Sequence, residues 1–222
     1  IAEVSGAERA AIAGRLMGEW EPSADFWRAL TTAQPLERPP SQPYPFFLAH
    51  ALPNDADAVA VEAALGVRQD WQAEWKWDGI RGQVIRRAGE VYIWSRGEEL
   101  VTDRFPEVRD AARRFPDGLV LDGELLPWDG VHDRVMPFAQ LQRRIGRKNL
   151  GKKLLAEVPV VLLAYDLIEE AGSDLRALPL HERRALLEAH VRQADTPHIR
   201  LSPIVQGVSW GELAGERAAA RE

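Results

Sequence analysis

The chain has no cysteine among its 222 residues. That excludes disulfide bridges and thiolate metal sites, and it fits a reducing, cytoplasmic setting. Long apolar runs are missing as well. The longest candidate, Val158 to Ala164, is far shorter than the roughly 20 residues a membrane-spanning helix needs. None of the five histidines stands at a metal-ligand spacing. Positive charge is not scarce, but lysine is: four lysines stand against 24 arginines. Residues 134–156 contain no acidic side chain, although the net charge is −6. The overall charge argues against wholesale wrapping by nucleic acid. The local gap leaves a cationic patch with six basic residues between Arg143 and Lys153.

What is present is ordinary for a globular protein, at 45% hydrophobic and 28% charged residues. Ile1 opens the chain in place of a methionine, so an excised piece of a longer protein is expected. A 3.6-residue apolar stripe at Ile12, Leu16, Met17 and Trp20 predicts a helix from Ala7 to Trp20. Ser23 is placed to cap a second helix through Phe26, Trp27 and Leu30. Five prolines from Pro35 to Pro45 then read as an extended linker, with a domain boundary near residue 40. Two helices do not make a core, so residues 1–40 are expected to be the tail of a helical domain lying upstream.

The remainder, residues 41–222, mixes strands and helices irregularly. Strands are predicted at Trp71–Trp77, Gln83–Arg87, Val91–Trp94, Gly118–Leu126, Val158–Ile168 and Ile199–Val205, with a hairpin at Ala88-Gly89-Glu90. Helices are predicted at Asn54–Leu65, Pro106–Phe115, Pro137–Arg147, Asn149–Ala156 and Leu180–Arg192. Ser209 and Glu212 form the pattern of a capping box for a final helix running to Glu222. Neighbouring strands joined by hairpins indicate an α+β fold of largely antiparallel sheets.

Lys76 stands apart from the other three lysines, in Glu74-Trp75-Lys76-Trp77-Asp78-Gly79-Ile80-Arg81. Arginine stays protonated in proteins, whereas a lysine amine can lose its proton and attack an electrophile. In a strand Glu74, Lys76 and Asp78 would share one face, with Gly79 turning the chain and Arg81 returning a fixed charge. The same residues could equally be a salt-bridge cluster before a turn. Ser95-Arg96-Gly97 puts Arg96 at a strand end, where it could hold a phosphate or simply line an exposed loop. Asp122 and Glu124 fall two apart in an otherwise apolar strand, where carboxylates are costly unless paired or metal-bound. Glu124 could hold magnesium or a ribose hydroxyl; ordinary ion pairing is the alternative. Tyr165, at the end of the most apolar run, could stack on a purine or pack in the core. Arg143, Arg144, Arg147 and Lys148 could grip a phosphodiester backbone, or could be a solvated helix face.

Taken in order, these segments resemble the ATP-dependent DNA ligases, within the covalent nucleotidyltransferases that also include RNA ligases and mRNA capping enzymes. The likeness rests on motif I at Lys76–Arg81, motif Ia at Ser95-Arg96, motif III at Asp122-Gly123-Glu124 and motif IIIa at Tyr165-Asp166. Arg15-Leu16-Met17-Gly18, Pro43-Tyr44-Pro45-Phe46-Phe47 and Met136-Pro137-Phe138 through Arg147 resemble bacterial members. The resemblance implies an adenylation domain over residues 41–222 and, over residues 1–40, the end of a helical DNA-binding domain with its linker. It implies that Lys76 is adenylated by ATP, that Glu74 lies by the adenine, and that Arg81 and Arg96 contact sugar and phosphates. Glu124 would touch ribose or Mg2+, and Tyr165 would stack on the base. AMP would pass to a DNA 5′-phosphate and leave when the 3′-hydroxyl attacks.

The substrate so implied is nicked double-stranded DNA, joined by a cytoplasmic, nucleoid-associated monomer with no membrane partner, in replication, repair and recombination. The family's motif IV, motif V and OB-fold domain have no counterpart before Glu222, so these 222 residues alone are expected to adenylate weakly or not at all. An RNA ligase or capping-type enzyme, and a non-catalytic DNA-binding module, are the competing readings.

Overall fold

The structure is a computed structural model that describes residues 1–6, 12, 15–16, 20–32, 39–52, 57–147 and 150–220. The expected positions Met17, Gly18, Pro35, Asn54, Lys148 and Asn149 lie outside the described residues. Among the described residues, after a helical turn at Ala2–Ser5 and apart from the 3-10 turns Arg68–Asp70 and Thr102–Arg104, the elements in chain order are α1 (Ala24–Thr31), α2 (Ala58–Leu65), β1 (Ile80–Arg87), β2 (Glu90–Ser95), α3 (Pro106–Ala112), β3 (Leu119–Asp129), β4 (Arg134–Val135), α4 (Phe138–Ile145), α5 (Lys152–Glu157), β5 (Val160–Glu170), β6 (Ser173–Asp174), α6 (Leu180–Ala194), β7 (Ile199–Leu201) and α7 (Trp210–Ala219).

The chain forms two compact units. One comprises Ile1–Phe46 with Asp78–Leu201, the other Phe47–Trp77 with Ser202–Glu222. This division differs from a boundary near residue 40.

The first unit is built on a sheet ordered β2-β1-β3-β5-β6, with β4 added to β3 and β7 to β5. The pairings are antiparallel except β5 with β7, as the hairpin-rich sequence predicts. Strand alternation divides the side chains between two faces. On one face Val84, Ile93, Leu121, Leu125, Leu162 and Leu167 pack with Val108 and Ala111 of α3, Leu141 of α4 and Leu187 of α6 to form the main core. On the opposite face Ile85, Trp94, Val120 and Ile168 form a smaller cluster around Tyr44. The β1–β2 turn holds both central residues in the left-handed region, with φ of 52° at Ala88 and 78° at Gly89, the requirement of a two-residue hairpin.

Tyr44 corrects the linker reading. The segment is extended, but it is strapped to the sheet. Tyr44 is 1% exposed, its backbone N–H donates to Gln83 Oε1 at 2.8 Å, and its hydroxyl donates to Glu169 at 2.7 Å. Upstream, Ile12, Leu16, Phe26 and Leu30 pack together, and Ser23 caps α1 by accepting from the Phe26 N–H, as predicted.

Arg144 is a second correction. Expected on a solvated, DNA-facing surface, its side chain is 0% exposed. It forms a fork with the Glu107 carboxylate and donates to the carbonyls of Arg104 and Val158. The cause is its position on α4. Leu141 and Arg144 are one turn apart, and both face inward toward α3 and the start of β5.

In the second unit, Asp57 and Gly66 bound α2, Gly66 with φ of 80°. The Ser209 hydroxyl caps α7 by accepting from the Glu212 N–H, as the capping box predicts, and the Glu212 carboxylate reaches back to the Val208 N–H. Trp210 Nε1 donates to the Gly66 carbonyl at 2.9 Å. The predicted strand Trp71–Trp77 is absent as a strand. The pairing is one bridge, Glu74 with Ile204, and one bond from the Val205 N–H to the Ala73 carbonyl. Pro203 lacks the N–H that would extend this ladder, and it also shortens the predicted strand Ile199–Val205 to β7.

Candidate active site

The site is assembled where β1, β3 and β5 run side by side. Arg81 on β1 is in register with Glu124 on β3, and Asp122 is in register with Asp166 on β5. The β3–β5 register then slips. Asp122 pairs with Asp166 but Gly123 pairs with Ala164, so Tyr165 is the extra residue of a bulge. Bulges re-aim side chains, and this one brings the Tyr165 hydroxyl to 3.3 Å from Asp122 Oδ1. Arg81 donates to both Asp122 oxygens, from Nε at 3.2 Å and Nη2 at 2.8 Å. The rings of Phe46 and Tyr165 have their centroids 5.6 and 5.9 Å from the guanidinium carbon, within cation–π range.

Two glycines allow the strands this close. A Cβ at Gly79 would lie 2.5 Å from the Leu125 carbonyl oxygen, and one at Gly123 would lie 2.6 Å from the Leu163 carbonyl oxygen. Both belong to segments singled out in the sequence, and backbone approach accounts for them better than turn formation does.

The electrostatics follow from burial. The Asp122 side chain is 4% exposed and that of Arg81 is 24% exposed. Burial pushes the Asp122 carboxyl above the usual carboxylate range, while the hydrogen bond and charge of Arg81 pull against it. Burial also disfavours the Arg81 cation, but its hydrogen bond to Asp122 and the charges of Asp122, Tyr165 and Glu124 outweigh this, so the guanidinium holds its proton more firmly than usual. Burial raises the Tyr165 phenol, and the adjacent Asp122 charge raises it further, which keeps it a neutral donor. Asp166 is held by Arg183 of α6 through two hydrogen bonds of 2.8 and 2.9 Å. The result is a fixed cation braced by a buried anion, a suitable partner for a phosphate or a polarised sugar hydroxyl.

Of the residues expected at the site, Arg81, Glu124 and Tyr165 come together. Arg96 is exposed at the end of β2, and its backbone N–H donates to the Arg81 carbonyl at 2.9 Å. Glu74 and Lys76 are exposed and lie in the second unit, so the K-x-D-G-x-R run crosses from one unit to the other between Trp77 and Asp78. Arg143 is half-exposed and paired with Glu157 at 3.2 Å, and Arg147 is exposed. Asp122, Phe46 and the Asp166–Arg183 pair join the site, and none of them is among the positions expected there. The carboxylate two residues before Glu124 in an apolar strand was the available signal for Asp122. Phe46 falls in the Pro43-Tyr44-Pro45-Phe46-Phe47 segment that resembles bacterial members, but nothing in that segment marks its contact with Arg81.

Among the described residues no group of three His, Cys, Asp or Glu side chains could hold a metal ion. Magnesium is commonly held by one or two carboxylates completed by substrate phosphates, and the half-buried Glu124 suits that mode. No helix among the described residues is long and apolar enough to cross a membrane.

A cation, a bracing carboxylate and a phenol thus meet on neighbouring antiparallel strands, an arrangement chemically suited to an anionic, aromatic ligand. The family model of the ATP dependent DNA ligase domain matches residues 53–213, and the chain belongs to this family. A probable DNA ligase of Opitutus terrae is 41% identical over 150 residues, covering 67% of this chain and 14% of that protein. A probable DNA ligase of an Anaeromyxobacter species is 42% identical over 140 residues, covering 62% of this chain and 26% of the other. This chain thus spans only a minor part of the relatives it matches. Among solved structures, the ligase domain of LigD from M. tuberculosis superposes with a TM-score of 0.53 at 29% identity, over 68% of this chain and 46% of that one. A mycobacterial DNA ligase D complexed with ATP and MES gives a TM-score of 0.52 at 29% identity, over 68% and 45%. The α+β nucleotidyltransferase architecture is shared, and no observation favours an RNA ligase, a capping enzyme or a non-catalytic module.

Proposed function

We propose that this chain is the nucleotide-transferring portion of an ATP-dependent DNA ligase, with Lys76 as nucleophile. The observation that carries this is the match of residues 53–213 to the ligase domain family, a span that includes the whole of Lys76–Arg81. In the first step the Lys76 amine attacks the α-phosphorus of ATP. A P–N bond forms, the bond to the pyrophosphate oxygen breaks, and pyrophosphate leaves. The AMP then passes to the 5′-phosphate of a DNA nick, and the 3′-hydroxyl attacks that phosphate, forming the phosphodiester and releasing AMP. Arg81, held by Asp122, offers its charge to the sugar and phosphates, and Tyr165 offers its ring to the base. Glu74 lies by the adenine, and Arg96 adds a second cation. Each group acts by positioning and by stabilising charge already present on the phosphates, which is what phosphoryl transfer asks of a protein.

Magnesium, carried by Glu124 together with phosphate oxygens, would supply charge neutralisation on the triphosphate when bound. Arg143, Arg147 and Lys148 belong to the DNA-facing set in this reading. Residues 1–40 continue an upstream DNA-binding domain, and the whole protein works as a monomer on nicked duplex DNA in the cytoplasm, in replication, repair and recombination. Incubation of the full-length protein with α-labelled ATP and Mg2+, followed by acid precipitation, tests the first step. Protein-linked AMP is expected. Labelling that survives Lys76→Ala sinks the nucleophile assignment.

A further inference from the structure

The segment before Phe46 is built into the sheet far more firmly than a linker requires. Trp94 Nε1 donates to the Ser41 carbonyl at 2.5 Å, and Arg87 donates to the Gln42 carbonyl at 2.8 Å. The amide of Gln83, itself 1% exposed, accepts from the Tyr44 N–H at 2.8 Å and donates to the Tyr44 carbonyl at 3.0 Å. A side-chain amide thereby imitates a neighbouring strand. Tyr44 also donates from its hydroxyl to Glu169, whose carboxylate is forked to Arg87 at 2.8 and 2.6 Å. The Arg176 guanidinium carbon lies 4.6 Å from the Tyr44 ring centroid. Side chains from β1, β2 and β5, together with Arg176 just beyond β6, thus hold one short stretch of backbone.

The strap runs over the sheet face that also carries Arg81, Asp122 and Glu124. Two residues past its Tyr44 anchor it delivers the Phe46 ring to the Arg81 guanidinium, on which Tyr165 also closes. Asp122 engages the guanidinium through two of its nitrogens. The two aromatic faces within cation–π range add to that restraint. Pro43 and Pro45 flank the anchor and lower the entropy lost on fixing the strap.

We propose that the strap Ser41–Phe46 is a built part of the nucleotide site, in which Phe46 is a positioning residue for Arg81 and Tyr44 is its anchor. The inference rests on the reading of Arg81 as a nucleotide-contacting cation. It adds a function for a segment outside motifs I to IIIa.

The test measures the rate of protein–AMP formation against ATP concentration in the full-length protein, for wild type and for Phe46→Ala, Phe46→Leu, Phe46→Tyr and Tyr44→Phe. Thermal melts of the same variants run in parallel. A cation–π contact of ordinary strength predicts that Phe46→Ala and Phe46→Leu lower kcat/KM for ATP by about 3- to 30-fold, and that Phe46→Tyr stays within about twofold of wild type. Tyr44→Phe is expected to lower it less, by about 2- to 10-fold, through a loosened strap. Leucine keeps the apolar bulk and loses the π face, so Phe46→Leu separates positioning from packing. Wild-type kinetics in Phe46→Leu overturn the proposal, as does an equal loss in Phe46→Tyr and Phe46→Leu. Absence of label in the wild type is a separate result, and it overturns the nucleotidyl-transfer reading on which the proposal rests.

Discussion

Replacing Arg144 with alanine strands a carboxylate inside the protein. Glu107 would keep its one bond from the Val160 N–H and lose the guanidinium that engages both its oxygens. The carbonyls of Arg104 and Val158 would lose their donors at the same time. Removing one partner of a buried ion pair costs about 3–5 kcal/mol, because the remaining charge is uncompensated. In a domain of this size each kcal/mol shifts the melting temperature by about 2–4 °C, so Arg144→Ala should melt about 6–20 °C below wild type. The double variant Arg144→Met with Glu107→Gln should recover most of that loss. It removes both charges and leaves an amide oxygen for the Val160 N–H. The assay is thermal unfolding followed by circular dichroism, paired with nicked-duplex binding at several salt concentrations. A melt within about 2 °C of wild type, together with a reduced salt slope of DNA binding, would refute the structural assignment and return Arg144 to the DNA-facing set.

The other perturbations separate backbone, ring and surface charge. Gly79→Ala forces a methyl group against the Leu125 carbonyl and is expected to destabilise by about 1–3 kcal/mol, read as a lower denaturation midpoint in urea. Tyr165→Phe removes one hydrogen bond to Asp122 and should cost about 0.5–1.5 kcal/mol in stability, while keeping ATP binding by isothermal calorimetry closer to wild type than Tyr165→Ala does. Arg147→Ala removes an exposed charge and should leave the melt unchanged while lowering the slope of log affinity against log salt by about one; an unchanged slope would remove Arg147 from the DNA-contacting set.

Much of this was legible in the sequence because local rules governed it. Ser23, Gly66 and Ser209 act as caps where their chemistry predicts. The apolar run at Val158–Ile168 is the buried strand β5, displaced by two residues at each end. The hidden parts were set by partners far along the chain. Arg144 reads as one more cation in a basic run until Glu107, 37 residues earlier, is brought beneath it. Tyr44 sits among prolines, and only Gln83, Arg87 and Glu169 turn that stretch into a strap. Pro203 could have warned that the strand before it was short and that Trp71–Trp77 would lack a ladder partner. The pairing of Arg81 with Asp122 is a diagonal contact between neighbouring strands, and it needed the β1–β3 register.

The central claim is that Lys76 carries the nucleotide. Full-length wild-type protein, Lys76→Arg and Lys76→Ala are each incubated with α-labelled ATP and Mg2+, and the acid-stable adduct is mapped by peptide mass spectrometry. The account predicts AMP on the peptide containing Lys76 in the wild type and none in either variant, since arginine keeps the charge and loses the nucleophile. Label on another residue, or undiminished label in Lys76→Arg, would contradict it.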